Sequence, residues 1–471
     1  MNFWNAAFDL PAWPLLFLAV ALFVAFLFEF INGFHDTANA VTTVIYTRSL
    51  QPTAAVIFSG LMNFLGALIT VLFFGAGVAF AIVHLLPVDL LVHARSNAAL
   101  VMVLSLLIGG VIWNLSTWYL GIPVSSSHTL IGCILGVGIA NGFWNKTPWE
   151  GVNWEKALYV ALGLLITPLI GFIFGGGLLL LLKRVVKEPR LYQPPQGDDR
   201  PPSWIRVMLI ATCGGVSFAH GSNDGQKGMG LLLLTLIGFL PAHYALTVNN
   251  PKMAPKVYAG VLDVRAEYAK HQVPIPPEMS EHLDLLEREL AGKESFDELP
   301  RGWNDRWKVR QAIMKTTLAM SKKEEKDPAL PEELRGQLKS IRENNLVGAI
   351  EYVPLWVVVG TALALGIGTM IGYKRIVITV AEKIGKTHLT YAQGAVAGVV
   401  TAATILAADV LHLPVSTTQV LSSGVAGTMT ANGSGIQGGT CRKILLAWIL
   451  TLPACILLAG ILFTLGRLIA G

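Results

Sequence analysis

Hydrophobicity along this chain comes in long blocks. Apolar segments of membrane-spanning length fall near residues 13–31, 53–82, 98–120, 155–182, 205–243, 353–373, 391–412 and 443–468. Two shorter segments, 122–141 and 413–431, are rich in Gly, Ser and Thr and open with Pro123 and Pro414. About twenty helical residues cross a hydrocarbon core of about 30 Å. The pattern therefore predicts an all-α polytopic membrane protein with about ten crossing elements, the Pro-led pair being half-helices or hairpins.

Two polar stretches cut into this pattern. Trp13–Phe28 carries no charge, yet Glu29, Asn32, Gly33, His35, Asp36, Thr37 and Asn39 follow within eleven residues. An acid at the bilayer centre costs roughly 2.5–3.5 kcal/mol on insertion scales, so Asp36 needs a reason to be there. A polar helix end at the interface is the plain alternative. Against it stands an echo, because Gly221–Gly228 reads GSNDGQKG inside another apolar run. Setting Gly33 on Gly221 places His35 on Asn223 and Asp36 on Asp224. The two motifs predict a pair of broken helices.

The Pro-led segments repeat as well. Ile122–Leu130 reads IPVSSSHTL and Leu413–Leu421 reads LPVSTTQVL. Asp36 to Ser125 spans 89 residues and Asp224 to Ser416 spans 192; the excess matches a polar stretch of 107 residues at 244–350. The chain thus reads as a tandem duplication. Residues 1–190 form the first membrane repeat and 191–204 a basic cytoplasmic linker. Residues 205–243 start the second repeat, 244–350 are a hydrophilic insertion, and 351–471 complete it.

Orientation follows from Lys and Arg in short loops. Lys183, Arg184, Lys187, Arg190, Arg200 and Arg206 cluster between the halves. Lys374, Arg375, Lys383 and Lys386 form a second basic loop, and Arg442 with Lys443 a third. Five crossings per half put all three loops inside and make the repeats inverted, an arrangement found in secondary transporters. The insertion holds 17 Lys/Arg and 17 Asp/Glu, with helical stretches around 279–295 and 331–345. A soluble cap, a regulatory module and a partly disordered spacer all fit it.

Composition agrees with the blocks. Only 14% of the 471 residues are charged, against about 25% in soluble domains, and mean hydropathy is +0.57. The net charge of +5 is too small to suggest a nucleic-acid partner. Cys133, Cys213, Cys441 and Cys455 stand singly without metal spacing and read as small core residues. No Lys or Arg precedes Arg48, so the first segment reads as a retained span without the basic start of a signal peptide.

The chemistry of the motifs points to an oxyanion. A Pro-led half-helix offers unpaired backbone N–H groups and a positive dipole end. Pro123 and Pro414 suit a first-turn position, where the missing N–H is unpaired anyway. Hydroxyls of Ser125, Ser126, Ser127 and Thr129, with Ser416, Thr417 and Thr418, are neutral donors for phosphate oxygens; interhelical bonding is their plainer use. Carboxylates repel an anion, so Asp36 and Asp224 imply that a cation binds too. Asp36 with Asn39, and Asp224 with Asn223, are reasonable oxygen ligands for a hard cation. The same acids can instead carry protons.

Secondary candidates are His35, His128, Asn114, Lys227 and Gln393, with Asn63 beside them. Lys227 either pairs with Asp224, the duller option, or touches phosphate. His35 and His128 face amides at their symmetric positions, Asn223 and Gln419, which suggests hydrogen bonding, although His35 can also relay protons. Gly171–Gly177 and Gly366–Gly372 read as close helix packing. No nucleophile elbow, Walker A loop or H-E-x-x-H set occurs in the sequence, so neither an enzyme nor an ATP-driven pump is expected. A channel or receptor fits the motifs less well than alternating access.

At these residues the sequence resembles the inorganic phosphate transporter (PiT) family, and its bacterial low-affinity Pit permeases most. The family's G-x-N-D-x-x-N-A signature resembles GFHDTANA at Gly33–Ala40 and GSNDGQKG at Gly221–Gly228, and its P-V-S-[ST]-[ST]-H motif resembles PVSSSH and PVSTTQ. The resemblance implies a symporter with phosphate near the midplane between inverted repeats, coupled to H⁺ or Na⁺, with no resident cofactor and no firm metal site. It also implies divalent metal, such as Mg²⁺, carried as a neutral complex with phosphate. Sulfate permeases belong to the same family, which keeps sulfate as an alternative. His35 in place of Asn resembles the proton-coupled bacterial type, whereas Gln419 in place of His argues against titration there. A bacterial inner membrane is the expected location, the bilayer the expected surroundings, and a homo-oligomer is compatible with the sequence.

Overall fold

The computed structural model describes residues 12–86, 97–147, 149–194, 201–247, 250–300, 305–327, 330–371, 377 and 384–470. Its helices are α1 (Ala12–Tyr46), α2 (Pro52–Phe74), α3 (Gly77–Val83), α4 (Asn97–Tyr119), α5 (Ser126–Trp144), α6 (Trp154–Val185) and α7 (Ser203–Phe239). They continue with α8 (Met253–Lys270), α9 (Pro277–Leu290), α10 (Asp305–Lys326), α11 (Glu332–Ile341), α12 (Leu355–Thr369), α13 (Tyr391–Val410), α14 (Thr417–Asn432) and α15 (Gly438–Ala470). Among the described residues no strand occurs, only an isolated bridge between Gly385 and Ile436. Among the described residues seven helices are long and apolar enough to cross a membrane: α1, α2, α4, α5, α6, α13 and α15. The shorter α12, the more polar α7 and the 16-residue α14 occupy the other three segments singled out in the sequence. Large apolar side chains such as Phe73, Leu165, Ile173 and Leu468 lie exposed on these helices, as lipid-facing surfaces require.

The polar motifs do not break their helices. Asp36 sits within a continuous 35-residue α1 and Asp224 within a continuous 37-residue α7, which corrects the expectation of broken helices. Unpaired backbone is costly in a bilayer, so a helix with polar side chains facing inward keeps its ladder. Local bonds reinforce it: the Thr37 hydroxyl donates to the Gly33 carbonyl at 2.6 Å, Thr42 to Ala38, and Gln226 Nε2 to Ser222 at 3.0 Å. The glycines serve approach between helices instead. A Cβ on Gly33 would collide with the Leu365 carbonyl, and one on Gly221 with the Asn63 carbonyl. Gly368 meets the Phe30 carbonyl and Gly66 the Phe218 carbonyl in the same way. These contacts repeat between halves, since Phe30 and Phe218 both stand three residues before the motif glycine.

The break falls at the Pro-led segments. Gly121 and His412 both take left-handed backbone conformations, φ 66° and 56°, two residues before Pro123 and Pro414. Ile122 N then bonds to Thr117 O at 3.0 Å and Leu413 N to Ala408 O at 2.9 Å, the closure of a Schellman turn. After a short extended stretch, α5 and α14 begin with Ser125 and Ser416 as N-caps. The apolar run 53–82 is also divided, at Gly75 with φ 92°, into α2 and α3.

Packing is reciprocal. α5 lies against α15 and α14 against α6, so each Pro-led helix is covered by the last helix of the other half. α4 likewise touches α15 while α13 touches α6, and α2 meets α12. Trp448 Nε1 on α15 donates to the Pro123 carbonyl at 3.1 Å, fixing the turn before α5.

The chain forms two compact units. One is built on Thr235–Val353, the other on Ala19–Leu90, Arg95–Leu234 and Pro354–Gly471. In the first, α8 to α11 bury Val257, Val264, Tyr268, Leu283, Leu286 and Leu338. The expected helices at 279–295 and 331–345 appear as α9 and α11; α8 and α10 are additional. The described part of the insertion is therefore folded. Thr247 N donates to Ala349 O at 2.9 Å, and the buried Arg310 guanidinium donates to the Ala245 carbonyl at 2.6 Å and the Ile350 carbonyl at 3.0 Å. Burial lowers the Arg310 pKa to about 10, which leaves it charged near neutrality. Of the basic-loop residues, Arg200, Lys374, Arg375 and Lys383 lie outside the described residues.

Candidate functional site

Both Pro-led helices aim their first turns at the acids of α1 and α7. Asp36 Oδ1 accepts from the Thr418 hydroxyl at 2.7 Å, and Oδ2 from the Ser126 hydroxyl at 2.9 Å. His35 Nδ1 lies 3.2 Å from Oδ1. Asn39 Nδ2 donates to Thr418 at 2.9 Å and to Thr417 at 3.4 Å. Asp36 is thus held by one hydroxyl from each half.

Asp224 stands beside it. Ser126 Oγ is 3.5 Å from Asp224 Oδ2, and His220 Nε2 lies 3.4 Å from Asp224 Oδ2 and 3.7 Å from Asp36 Oδ2. The other His220 nitrogen meets Asn63 Oδ1 at 3.0 Å. Lys227 Nζ completes the group with Asp224 Oδ1 at 2.6 Å, Val415 O at 2.6 Å and Ser127 Oγ at 2.7 Å. An ammonium has three protons, so these acceptors use all of them. Both acids, Lys227 and His220 are buried. Two carboxylates against one ammonium leave a charge for His220 or a bound cation to balance. One ligand atom each from Asp36, His220 and Asp224 lies within 4.8 Å of the others, a set able to hold a cation.

The remaining candidates divide by what they touch. Ser125 and Ser416 hydroxyls accept from His128 N at 3.1 Å and Gln419 N at 3.3 Å, and so cap their helices. Thr129 bonds back to the Ser125 carbonyl at 3.2 Å, and Ser127 donates to Val415 O at 2.7 Å. Asn223 does not join Asp224. It donates to Asp409 and to Leu413 O, and accepts from Val415 N at 3.2 Å, clasping the turn before α14. Gln393 closes a capping box with Thr390 at the start of α13. Asn114 is buried without a partner on either amide atom, and His128 Nδ1 also lacks one; neither bonds to Asp36 or Asp224.

Three contributors escaped sequence reasoning. His220 and Asn32 occupy the position before each motif glycine, and Asn32 Nδ2 reaches Asp224 Oδ2 at 3.4 Å; beginning the repeat one residue earlier exposes the pair. Asp409 receives the Ser222 hydroxyl and the Asn223 amide. Counting back from each motif proline matches Asp409 to Trp118, and Trp118 packs edge-on against Phe34, the counterpart of Ser222. One half has an aromatic pair where the other has an acid and a hydroxyl.

Fold and site together define a helical membrane protein with an enclosed polar site formed by both halves. The chain belongs to the phosphate transporter family, whose family model matches residues 32–459. Among its relatives, the low-affinity inorganic phosphate transporter PitA of Escherichia coli (strain K12) is 41% identical over 98% of each chain. PitB of the same strain is 39% identical over 97% of each. A probable low-affinity inorganic phosphate transporter of Bacillus subtilis is 28% identical over 97% of this chain and 99% of its own. A solved structure described as the sodium-dependent phosphate transporter shares the fold, with TM-score 0.60 and 18% identity over 96% of this chain and 99% of that chain. These relatives are transporters by name, in line with the expectation of a non-enzyme.

Proposed function

We propose that this protein is a symporter of inorganic phosphate in a bacterial inner membrane, coupled to a cation taken to be H⁺, with neutral divalent metal–phosphate complexes as the transported form. The observation that carries the reading is the double duty of two hydroxyls. Ser126 and Thr418 each hold a single proton, and both donate it to Asp36. A phosphate oxygen that takes either proton removes a donor from Asp36. A cation then has to compensate the buried carboxylate, because an unpaired charge at this depth is costly. Anion and cation binding are linked through the same two hydroxyls. The helix ends behind Ser126 and Thr418 add N-terminal dipoles that favour the anion. The names of the curated relatives support phosphate as the anion.

The test is radiolabelled phosphate uptake into proteoliposomes under separately imposed pH and Na⁺ gradients, with and without Mg²⁺. Uptake driven by the pH gradient and raised by Mg²⁺ is expected. Uptake driven by Na⁺ alone would overturn the proton coupling, and uptake of sulfate in place of phosphate would overturn the substrate.

A further inference from the structure

The first half carries a buried acid that the second half lacks. Glu29 lies on α1 two turns before Asp36, is 0% exposed, and has no close hydrogen bond at either carboxylate oxygen, the Asn32 amide being the donor that faces it. Its counterpart in the second half, seven residues before Asp224, is Ser217. Ser217 shares a 2.8 Å hydrogen bond with Ser59. The residue corresponding to Ser59 is Thr361, which lines the space beside Glu29 but donates its hydroxyl to the Val357 carbonyl of its own helix at 2.7 Å. A neutral hydroxyl pair in one half is thus replaced in the other by an acid to which the facing hydroxyl does not donate.

The surroundings are built around this carboxyl. A Cβ on Gly228 would collide with Glu29 Oε2 and crowd Thr361 Cγ2, so glycine there makes the room. The charged and titratable groups facing Glu29 come from α7: Asp224, His220 and Lys227. Lys227 is fully engaged by Asp224, Ser127 and Val415. α12 presents only the Thr361 hydroxyl, and α1 itself the Asn32 amide one turn on. An ionised carboxylate with one weakly placed amide and no cation of its own is far more costly here than a neutral acid.

We propose that Glu29 is the residue that holds the coupling proton, which deepens the symport reading and rests on it. The step is the addition of H⁺ to the Glu29 carboxylate, giving the neutral acid that a dry setting favours. The proton returns to water when a rearrangement hydrates the carboxyl. Asn32 connects the event to the site: it stands three residues after Glu29 on α1, and its Nδ2 lies 3.4 Å from Asp224 Oδ2. The same amide faces Glu29, so charge on Glu29 is felt at Asp224.

The experiment compares the full-length protein with Glu29→Gln in proteoliposomes, reading two quantities: phosphate exchange between loaded vesicles and medium without a gradient, and net accumulation under an inward pH gradient. Glutamine mimics the neutral acid, so E29Q should exchange phosphate yet lose gradient-driven accumulation and its pH dependence. E29Q that accumulates like the unsubstituted protein would overturn the proposal. So would E29Q that enters the membrane as monodisperse protein but loses exchange too, since Glu29 would then serve phosphate binding or packing. Should E29Q fail to fold, Glu29→Asp replaces it. That variant keeps a titrating group in a shifted place, so accumulation should survive with a displaced pH profile, and an unmoved profile would overturn the idea. Unsubstituted protein that ignores the pH gradient would instead overturn proton symport itself.

Discussion

Asp36 and Asp224, one from each half, share two partners: the Ser126 hydroxyl, 2.9 and 3.5 Å away, and His220 Nε2, 3.7 and 3.4 Å away. The acids therefore respond to each other. Asp36→Asn and Asp224→Asn should each abolish gradient-driven phosphate accumulation while leaving protein folded in the membrane. Uptake in proteoliposomes with size-exclusion profiles reads both, and normal uptake in the two variants would refute the site.

The Lys227–Asp224 pair sets up a test by stability. Breaking a buried pair by removing one partner costs about 3–5 kcal/mol, because the other charge is left uncompensated. Lys227→Met should lower the melting temperature in detergent. The double variant Lys227→Met/Asp224→Asn should recover much of the loss, and a double-mutant cycle measures the coupling. Additive losses would mean that the two side chains are independent.

Gly33 and Gly215 make a matched comparison on two helices. At Gly33 a Cβ meets a carbonyl of α12, whereas at Gly215 the nearest atom is the Ala402 Cβ at 3.9 Å. Gly33→Ala should cost about 1–3 kcal/mol through overpacking. Gly215→Ala should be neutral or gain up to about 1 kcal/mol of helix propensity. Thermal melts of the two variants side by side decide it.

In the inserted unit, Arg310 ties together the carbonyls of Ala245 and Ile350, near its entry and exit. Arg310→Met keeps apolar bulk but leaves both acceptors unpaired, at about 1–3 kcal/mol each. Faster amide hydrogen exchange across 244–350 is the expected readout. An unchanged exchange pattern would show that the guanidinium does not hold the unit.

Much of this was legible in the sequence because membrane burial makes polar residues conspicuous. Asp36, Asp224 and the two Pro-led triplets stood out against apolar background, and all but the capping serines entered the cluster directly. Ser125 and Ser416 looked like ligand donors because composition does not separate a cap from a free hydroxyl; only the start of the helix decides. The motifs looked like helix breaks because glycine and polar residues usually end helices in water. Against a bilayer the ladder is kept, and the glycines serve close approach to Leu365 and Asn63 instead. His220 and Asn32 lie one residue before the paired motifs at Gly33–Ala40 and Gly221–Gly228, so the repeat does not single them out. Asp409 had no counterpart to flag it, since its match is Trp118. Folded helices in 244–350 were only half visible, because an evenly charged stretch fits a solvated helical unit as well as a spacer.

The reciprocal cover of α5 by α15 and α14 by α6 bears on biosynthesis. When the ribosome has finished the first half, α5 still waits for a partner, α15, that the second half supplies. The serine-rich turn before it is likewise held only once Trp448 emerges to bond Pro123. A nascent chain stopped before α15 leaves α5 without its cover. The 33 residues of α15 therefore act as a latch on an element made much earlier.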